Sequence, residues 1–94
     1  MKPVRYSNRA EEDIVRAVTW YESIQPGLGL TLLDLVEDLI EQIAESPQLY
    51  QVRYRTFRAG VLPRYPYSVF YTDEPDEIVI HAVFDDRQSP NRRP

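Results

Sequence analysis

The chain contains no cysteine, which excludes disulfides and thiolate chemistry. Its single histidine, His81, cannot build a zinc site by itself. No apolar run approaches the ~20 residues that span a bilayer. The opening stretch, MKPVRYSNRAEEDIV, has no apolar centre of the kind a secretory signal carries. Lysine is missing after Lys2, so every later cation is an arginine. These absences make a cytoplasmic chain the default, with no membrane segment, no metal and no cofactor.

What is present is ordinary for a globular protein. Of the 94 residues, 43% are hydrophobic and 28% charged, which suits one domain over residues 1–94 with a modest core. Only Ser89 to Pro94, polar and bounded by proline, reads as disordered. The net charge of −4 hides an asymmetry. Residues 1–50 carry four basic and nine acidic side chains, and residues 51–94 carry seven basic and six acidic. The overall acidity argues against non-specific coating of nucleic acid, which rests on phosphate neutralisation. Arg53, Arg55, Arg58 and Arg64 follow one another with no acid between them. They read either as a solvated strand surface or as a docking face for an acidic partner.

The periodicity predicts a short strand at Val4–Tyr6, then a helix capped by Ser7 or Asn8. Glu11, Glu12 and Asp13 favour its positive end. Ala10, Ile14, Ala17, Val18 and Tyr21 form its apolar face, flanked by Trp20 and Ile24. Pro26-Gly27 ends it. A second helix follows soon after Gly29, with Leu32, Leu35, Val36, Leu39, Ile40 and Ile43 as its stripe, and Ser46-Pro47 stops it. The short link makes the two helices antiparallel neighbours. These stripes read as core.

The period then changes to that of strands. Val52 to Phe57 alternates and reads as one strand, with a bulge or bend at Ala59-Gly60. Tyr67 to Thr72 and Ile78 to Phe84 form a hairpin around the acidic turn Asp73–Glu77. Strict alternation sets Ile78, Ile80, Ala82 and Phe84 on one face of the last strand and Val79, His81 and Val83 on the other. Apolar residues on both faces mark an interior strand. The helices cover one face and leave part of the other to a partner. His81 reads as a sheet-face histidine, and Asp73, Asp76, Asp85 and Asp86 as turn and strand-end residues rather than metal ligands.

Several motifs recur in a meaningful order: Asp13-Ile14, Trp20-Tyr21-Glu22, Gly27-Leu28-Gly29, Ser46-Pro47, Arg64-Tyr65-Pro66-Tyr67 with Val69-Phe70-Tyr71, then Ala82-Val83-Phe84 leading to Arg87 and Pro90. Together they resemble the RelE/ParE superfamily of type II toxin–antitoxin toxins, also called plasmid-stabilisation proteins, and the ParE-like branch most. The resemblance implies an α+β fold: a short N-terminal strand, an antiparallel helical hairpin, and a three-strand antiparallel meander packed on the helices. It implies a growth-inhibiting toxin neutralised by a cognate antitoxin. ParE-like members poison DNA gyrase; RelE-like members cleave messenger RNA in the ribosome.

RNA cleavage needs cations at the scissile phosphate and groups that move protons. Arg87 falls where one such arginine is found in the resembling nucleases, and Arg64 is a second candidate. Ser68 stands where another basic residue is expected, and Asp85 where many relatives place histidine. The tail QSPNRRP has no tyrosine. The nuclease set is therefore incomplete, and the reading turns to binding through Arg53, Arg55, Arg58, Arg64, Tyr67 and Arg87, with gyrase as the implied target. A ribosome-dependent endoribonuclease and a non-toxic binding module on the same fold are the alternatives.

Overall fold

The computed structural model describes residues 1–94. Two α-helices pack on one face of a five-stranded sheet with strand order β1-β5-β4-β3-β2. The elements in chain order are β1 (Val4–Tyr6), α1 (Asn8–Ile24), α2 (Leu28–Glu45), β2 (Val52–Tyr54), β3 (Phe57–Val61), β4 (Tyr67–Asp73) and β5 (Ile78–Asp85), with single 3₁₀ turns at Pro47–Leu49 and Pro90–Arg92. β1 runs parallel to β5, and the remaining pairs are antiparallel. No helix is long and apolar enough to cross a membrane.

The helices lie where the 3.6-residue period puts them. Ser7 caps α1: its hydroxyl accepts from the Ala10 N–H at 3.0 Å. The same hydroxyl donates to the His81 carbonyl at 3.0 Å. α2 begins at Leu28, with Gly27 before it in the left-handed region at φ 94°, where glycine carries no Cβ penalty. No side chain of its own caps α2. Glu22 of α1 does so instead. Its Oε1 accepts from the N–H groups of Gly27 at 2.8 Å, Gly29 at 2.9 Å and Leu30 at 3.3 Å. A carboxylate there satisfies orphan donors and meets the positive end of the helix dipole. Gly29 is required by contact: a Cβ there would sit 2.3 Å from the Val18 carbonyl oxygen and 2.6 Å from Glu22 Cγ.

The core lies between the helices and the sheet. Leu32, Val36 and Ile43 of α2 meet Val69, Tyr71, Ile78 and Ile80, all essentially closed to solvent. Each such side chain contributes roughly 1.5–3 kcal/mol on burial. Tyr71 donates its hydroxyl to the Pro47 carbonyl, and burial pushes that hydroxyl up to about 12. The side chains of Tyr21, Tyr65 and Tyr67 meet edge to face, with ring centroids 5.0 Å apart for Tyr21–Tyr65 and 6.2 Å for Tyr21–Tyr67. Tyr65 then donates to the Leu28 carbonyl at 3.0 Å. The motifs around Tyr21, Gly27 and Tyr65 thus form one connected junction at the hairpin tip.

Three expectations need correction. The stretch Val52–Phe57 is a hairpin rather than one strand: Tyr54 pairs with Phe57 across Arg55-Thr56. Arg55 adopts a left-handed φ of 54°, so the chain turns without a glycine or asparagine to announce it. The meander therefore has four strands, and Ala59-Gly60 lies inside β3, regularly paired with Phe70 and Val69.

The second correction concerns the faces of β5. Ile80 pairs with Tyr71 but Ala82 pairs with Phe70, leaving His81 as an extra residue. This bulge reverses the alternation beyond it. Val83, not Ala82 or Phe84, joins Ile78 and Ile80 on the helix side. Ala82 and Phe84 cluster on the outer face with Ala59 and Phe70, under Tyr54 and Phe57. Much of that face is thus covered by the chain's own β2–β3 hairpin.

The third concerns the tail. Ser89 caps the Pro90–Arg92 turn, Arg92 offers its carbonyl to Arg9, and the Arg93 guanidinium lies 3.9 Å from the centroid of the Tyr54 ring. The prolines shape this segment into a turn that folds back onto the domain.

Candidate functional site

β1 ends at Tyr6, opposite Ile80, and this leaves the outer edge of β5 open beyond that point. α1 fills the gap with side chains. Ser7 takes the His81 carbonyl, and Asp13 Oδ2 accepts the Val83 N–H at 3.0 Å. Asp13 also draws in two guanidiniums, Arg16 at 3.1 Å and Arg9 at 3.6 Å. Its carboxylate is only 10% exposed, so it joins a strand edge to a pair of cations.

Those cations open onto a cleft of about 910 Å³ between α1, the end of β5 and the C-terminal turn. Arg9, Arg16 and Trp20 enter from α1, Arg87 from the end of β5, and Arg92 and Arg93 from the tail. Five arginines face three carboxylates, those of Glu12, Asp13 and Asp85, in a chain whose net charge is −4. Trp20 is 56% exposed and offers an indole wall beside the cations.

Arg87 is the most fixed of the five. Its Nε and Nη2 donate to Asp85 at 2.9 and 2.8 Å, in a two-pronged pair, and the Arg87 N–H adds a third bond to the same carboxylate at 3.0 Å. The guanidinium hydrogen bond holds the Asp85 carboxyl below the usual range and raises Arg87 further. Tyr67 stands beside the pair. Burial, and then the Asp85 charge, raise its hydroxyl. At neutral pH this corner holds an ionised acid, an ionised base and a neutral phenol.

Of the binding residues singled out in the sequence, Tyr67 and Arg87 line this cleft, beside Asp85, and Arg53, Arg55, Arg58 and Arg64 lie elsewhere. Arg64 occupies an exposed loop at a left-handed φ of 70°. Arg58 turns inward and donates to the Tyr50 carbonyl at 2.6 Å, where it fixes the chain entering β2. Arg55 lies at the hairpin tip, 5.4 Å from the centroid of the Tyr54 ring, and Arg53 is exposed on β2. His81 sits on the outer face against Phe57, ring centroids 4.9 Å apart, with Nε2 2.8 Å from the Thr72 hydroxyl. Burial lowers its pKa. The acidic residues have separate partners: Asp73 pairs with Lys2, and Asp86 accepts from Ser68 at 2.8 Å. No group of three or more His, Asp or Glu has the arrangement to hold a metal.

Sequence reasoning missed Arg9, Arg16, Arg92 and Arg93, and placed Trp20 at the flank of the apolar face of α1 rather than in a site. A signal for part of this set exists: Arg9, Asp13, Arg16 and Trp20 follow at i, i+4, i+7 and i+11, which puts them on one helical face. The tail arginines carry no local signal, because only the folded turn brings them back.

No curated protein matches the chain. Among solved structures, it is similar to a chain of the chromosomal ParDE toxin–antitoxin system from P. aeruginosa, with a TM-score of 0.80, 16% identity, and coverage of 90% of this chain and 96% of that one. At that identity the likeness establishes the fold. Residues 4–90 match the family model of the ParE toxin of type II toxin–antitoxin systems, parDE. With nearly its whole length matched, the chain belongs to the ParE toxin family of type II toxin–antitoxin systems.

Proposed function

We propose that this chain is the growth-inhibiting toxin of a two-protein pair, acting in the cytoplasm by docking its arginine-lined cleft on a macromolecular target, and that a cognate antitoxin neutralises it. DNA gyrase is the target the family implies. The observation that carries this reading is the Asp85–Arg87 corner. An arginine held in a fixed orientation, beside further cations and an exposed indole, suits recognition of an anionic surface. Proton transfer near neutral pH would need a group poised to gain or lose a proton. Here Asp85 is shifted down and Tyr67 up, both away from that range, and His81 is not among the cleft residues. That pattern supports binding over RNA cleavage.

The test is a pair of measurements made side by side. Induced wild-type chain should arrest growth, and purified chain should inhibit supercoiling by gyrase, while Arg87→Gln should do neither. Gyrase activity that survives a large excess of folded wild-type chain would remove gyrase as the target. New cleavage ends on translated messages, dependent on Arg87, would replace the binding reading with the nuclease one.

A further inference from the structure

The arginine-lined cleft carries a flat aromatic surface as well as charge, and the two stand side by side. Arg16 precedes Trp20 by one helical turn on α1, so their side chains are neighbours, with Cβ atoms roughly 5–6 Å apart. A base and its own phosphate are joined on the same scale. Trp20 is more than half exposed, and its ring stacks on none of the other aromatic rings and under neither of the ring-bound guanidiniums. Its face is free.

The cleft arginines divide into fixed and open ones. Arg87 is locked to Asp85. Arg93 donates to the Pro90 carbonyl at 3.1 Å and lies over the Tyr54 ring. Arg9, Arg16 and Arg92 remain. Arg9 and Arg16 share the one carboxylate of Asp13, which also accepts the Val83 N–H. Each guanidinium carries about five N–H donors, so most of theirs have no acceptor in the chain. Arg92 enters no ion pair, while Arg9 holds its carbonyl and fixes the tail beside α1. Open guanidinium forks match phosphate oxygens. A carboxylate-rich protein surface would meet the same cations but leave the indole without a flat partner. An unpaired base supplies one, whereas a duplex keeps its base faces stacked. The surplus of charge is small: five arginines face three carboxylates. Beyond the cleft, α2 presents Asp34, Glu37, Asp38, Glu41 and Glu45 and no basic residue. A long polyanion gains nothing there, so the fitting ligand is short.

We infer that this cleft binds a short stretch of single-stranded nucleic acid, with one unpaired base stacked on the Trp20 indole and the adjoining phosphates held by Arg16, Arg9 and Arg92. The inference rests on the reading of the cleft as a docking surface and names what is docked there. The ligand is an exposed strand, met alone or within a target that handles nucleic acid. Nothing in the cleft is assigned to the sugar, so the shared chemistry is that of a base with its phosphates, from DNA or RNA.

The test uses the full chain and four labelled probes of equal length: an oligothymidylate, an oligouridylate, an abasic strand and a duplex. Fluorescence anisotropy should show a pyrimidine strand binding about tenfold more tightly than the abasic strand or the duplex, a difference of about 1.4 kcal/mol. The tighter of the two pyrimidine strands names the source, and equal binding supports recognition of base and phosphate alone. Trp20→Ala should weaken the pyrimidine strand by a similar factor, within the range of one lost stack, and Trp20→Phe should recover most of it. The abasic strand should not register either change. Arg16→Gln and Arg92→Gln should weaken every strand alike, each lowering the salt slope by about 0.7. An unchanged urea midpoint for each variant confirms that it is folded. Absence of binding to both pyrimidine strands overturns the inference, as does abasic binding of equal strength or Trp20→Ala without effect. A glutamate-rich peptide that displaces the strand at equal charge would make an acidic protein the occupant and overturn it too. Gyrase supercoiling, run beside these assays, separates the two readings. Inhibition by a chain that binds no strand removes this inference and leaves target docking standing. Strand binding without inhibition removes gyrase and leaves the inference.

Discussion

At the tip of the helical hairpin, one carboxylate oxygen of Glu22 meets three backbone N–H groups of α2, and Gly29 lets the helices touch. Earlier along the same helix, Arg9 and Arg16 gather on Asp13, and the cleft beyond them holds more cations than anions. At the tip, donors and acceptors are matched and the fit leaves no slack. In the cleft, charge is left over and an indole stands in solvent. The first arrangement is what a fold needs and the second is what a binding surface needs. The motifs that carry the family resemblance fall largely at the tip, around Tyr21, Glu22, Gly27, Gly29 and Tyr65, so much of what marks the family is architecture.

Variants should separate the two regions. Gly29→Ala should have the largest effect on stability. Its Cβ would overlap the Val18 carbonyl oxygen and the Glu22 side chain, and overpacking of this kind costs about 3 kcal/mol. The urea midpoint should fall accordingly, and an unchanged midpoint would show that the helices separate freely. Arg87→Gln should act on the other side of the comparison. Growth arrest should be lost while stability changes by less than about 1 kcal/mol, because the Asp85 pair is at the surface. A large drop in its urea midpoint would assign Arg87 to the fold. Glu22→Ala should have the second-largest effect on stability, after Gly29→Ala. Losing an acceptor for three α2 donors should cost about 1–2 kcal/mol, and Glu22→Gln should recover part of that. Equal losses for the two would make the contribution one of packing rather than hydrogen bonding.

The smallest effect is one of pH and belongs to neither region. Burial lowers the His81 pKa in the folded chain below its ordinary value of 6.5. Between the folded and unfolded values, the unfolded chain holds the extra proton, so stability rises with pH across that window. Acidifying from pH 7 toward 5 should therefore lower the urea midpoint slightly, and His81→Gln should remove that part of the slope. A His81→Gln variant with the wild-type pH slope would place the titration elsewhere.

Much of the fold could be read from the residues, for reasons that also explain the failures. α1 and α2 follow from apolar spacing and from Pro26-Gly27 and Ser46-Pro47, which are local signals. β4 and β5 follow from alternation around an acidic turn. The β2–β3 turn was hidden because Arg55 takes a left-handed φ that its residue type does not advertise. The faces of β5 were misread beyond His81 because a bulge is a property of pairing, invisible in one strand alone. In the cleft, Tyr67 and Arg87 were found because they sit in a recognisable stretch. Arg9, Arg16 and the tail arginines come from distant parts of the chain, and only packing brings them together.

Asp13 has a consequence for genetics. One carboxylate secures the β5 edge at Val83 and also positions Arg9 and Arg16. Selection for cells that survive expression of this chain should therefore recover Asp13 variants alongside those at Arg87. Survivors of the two kinds will look alike on a plate. Only the amount of folded protein in the cell will tell a lost scaffold from a blunted weapon.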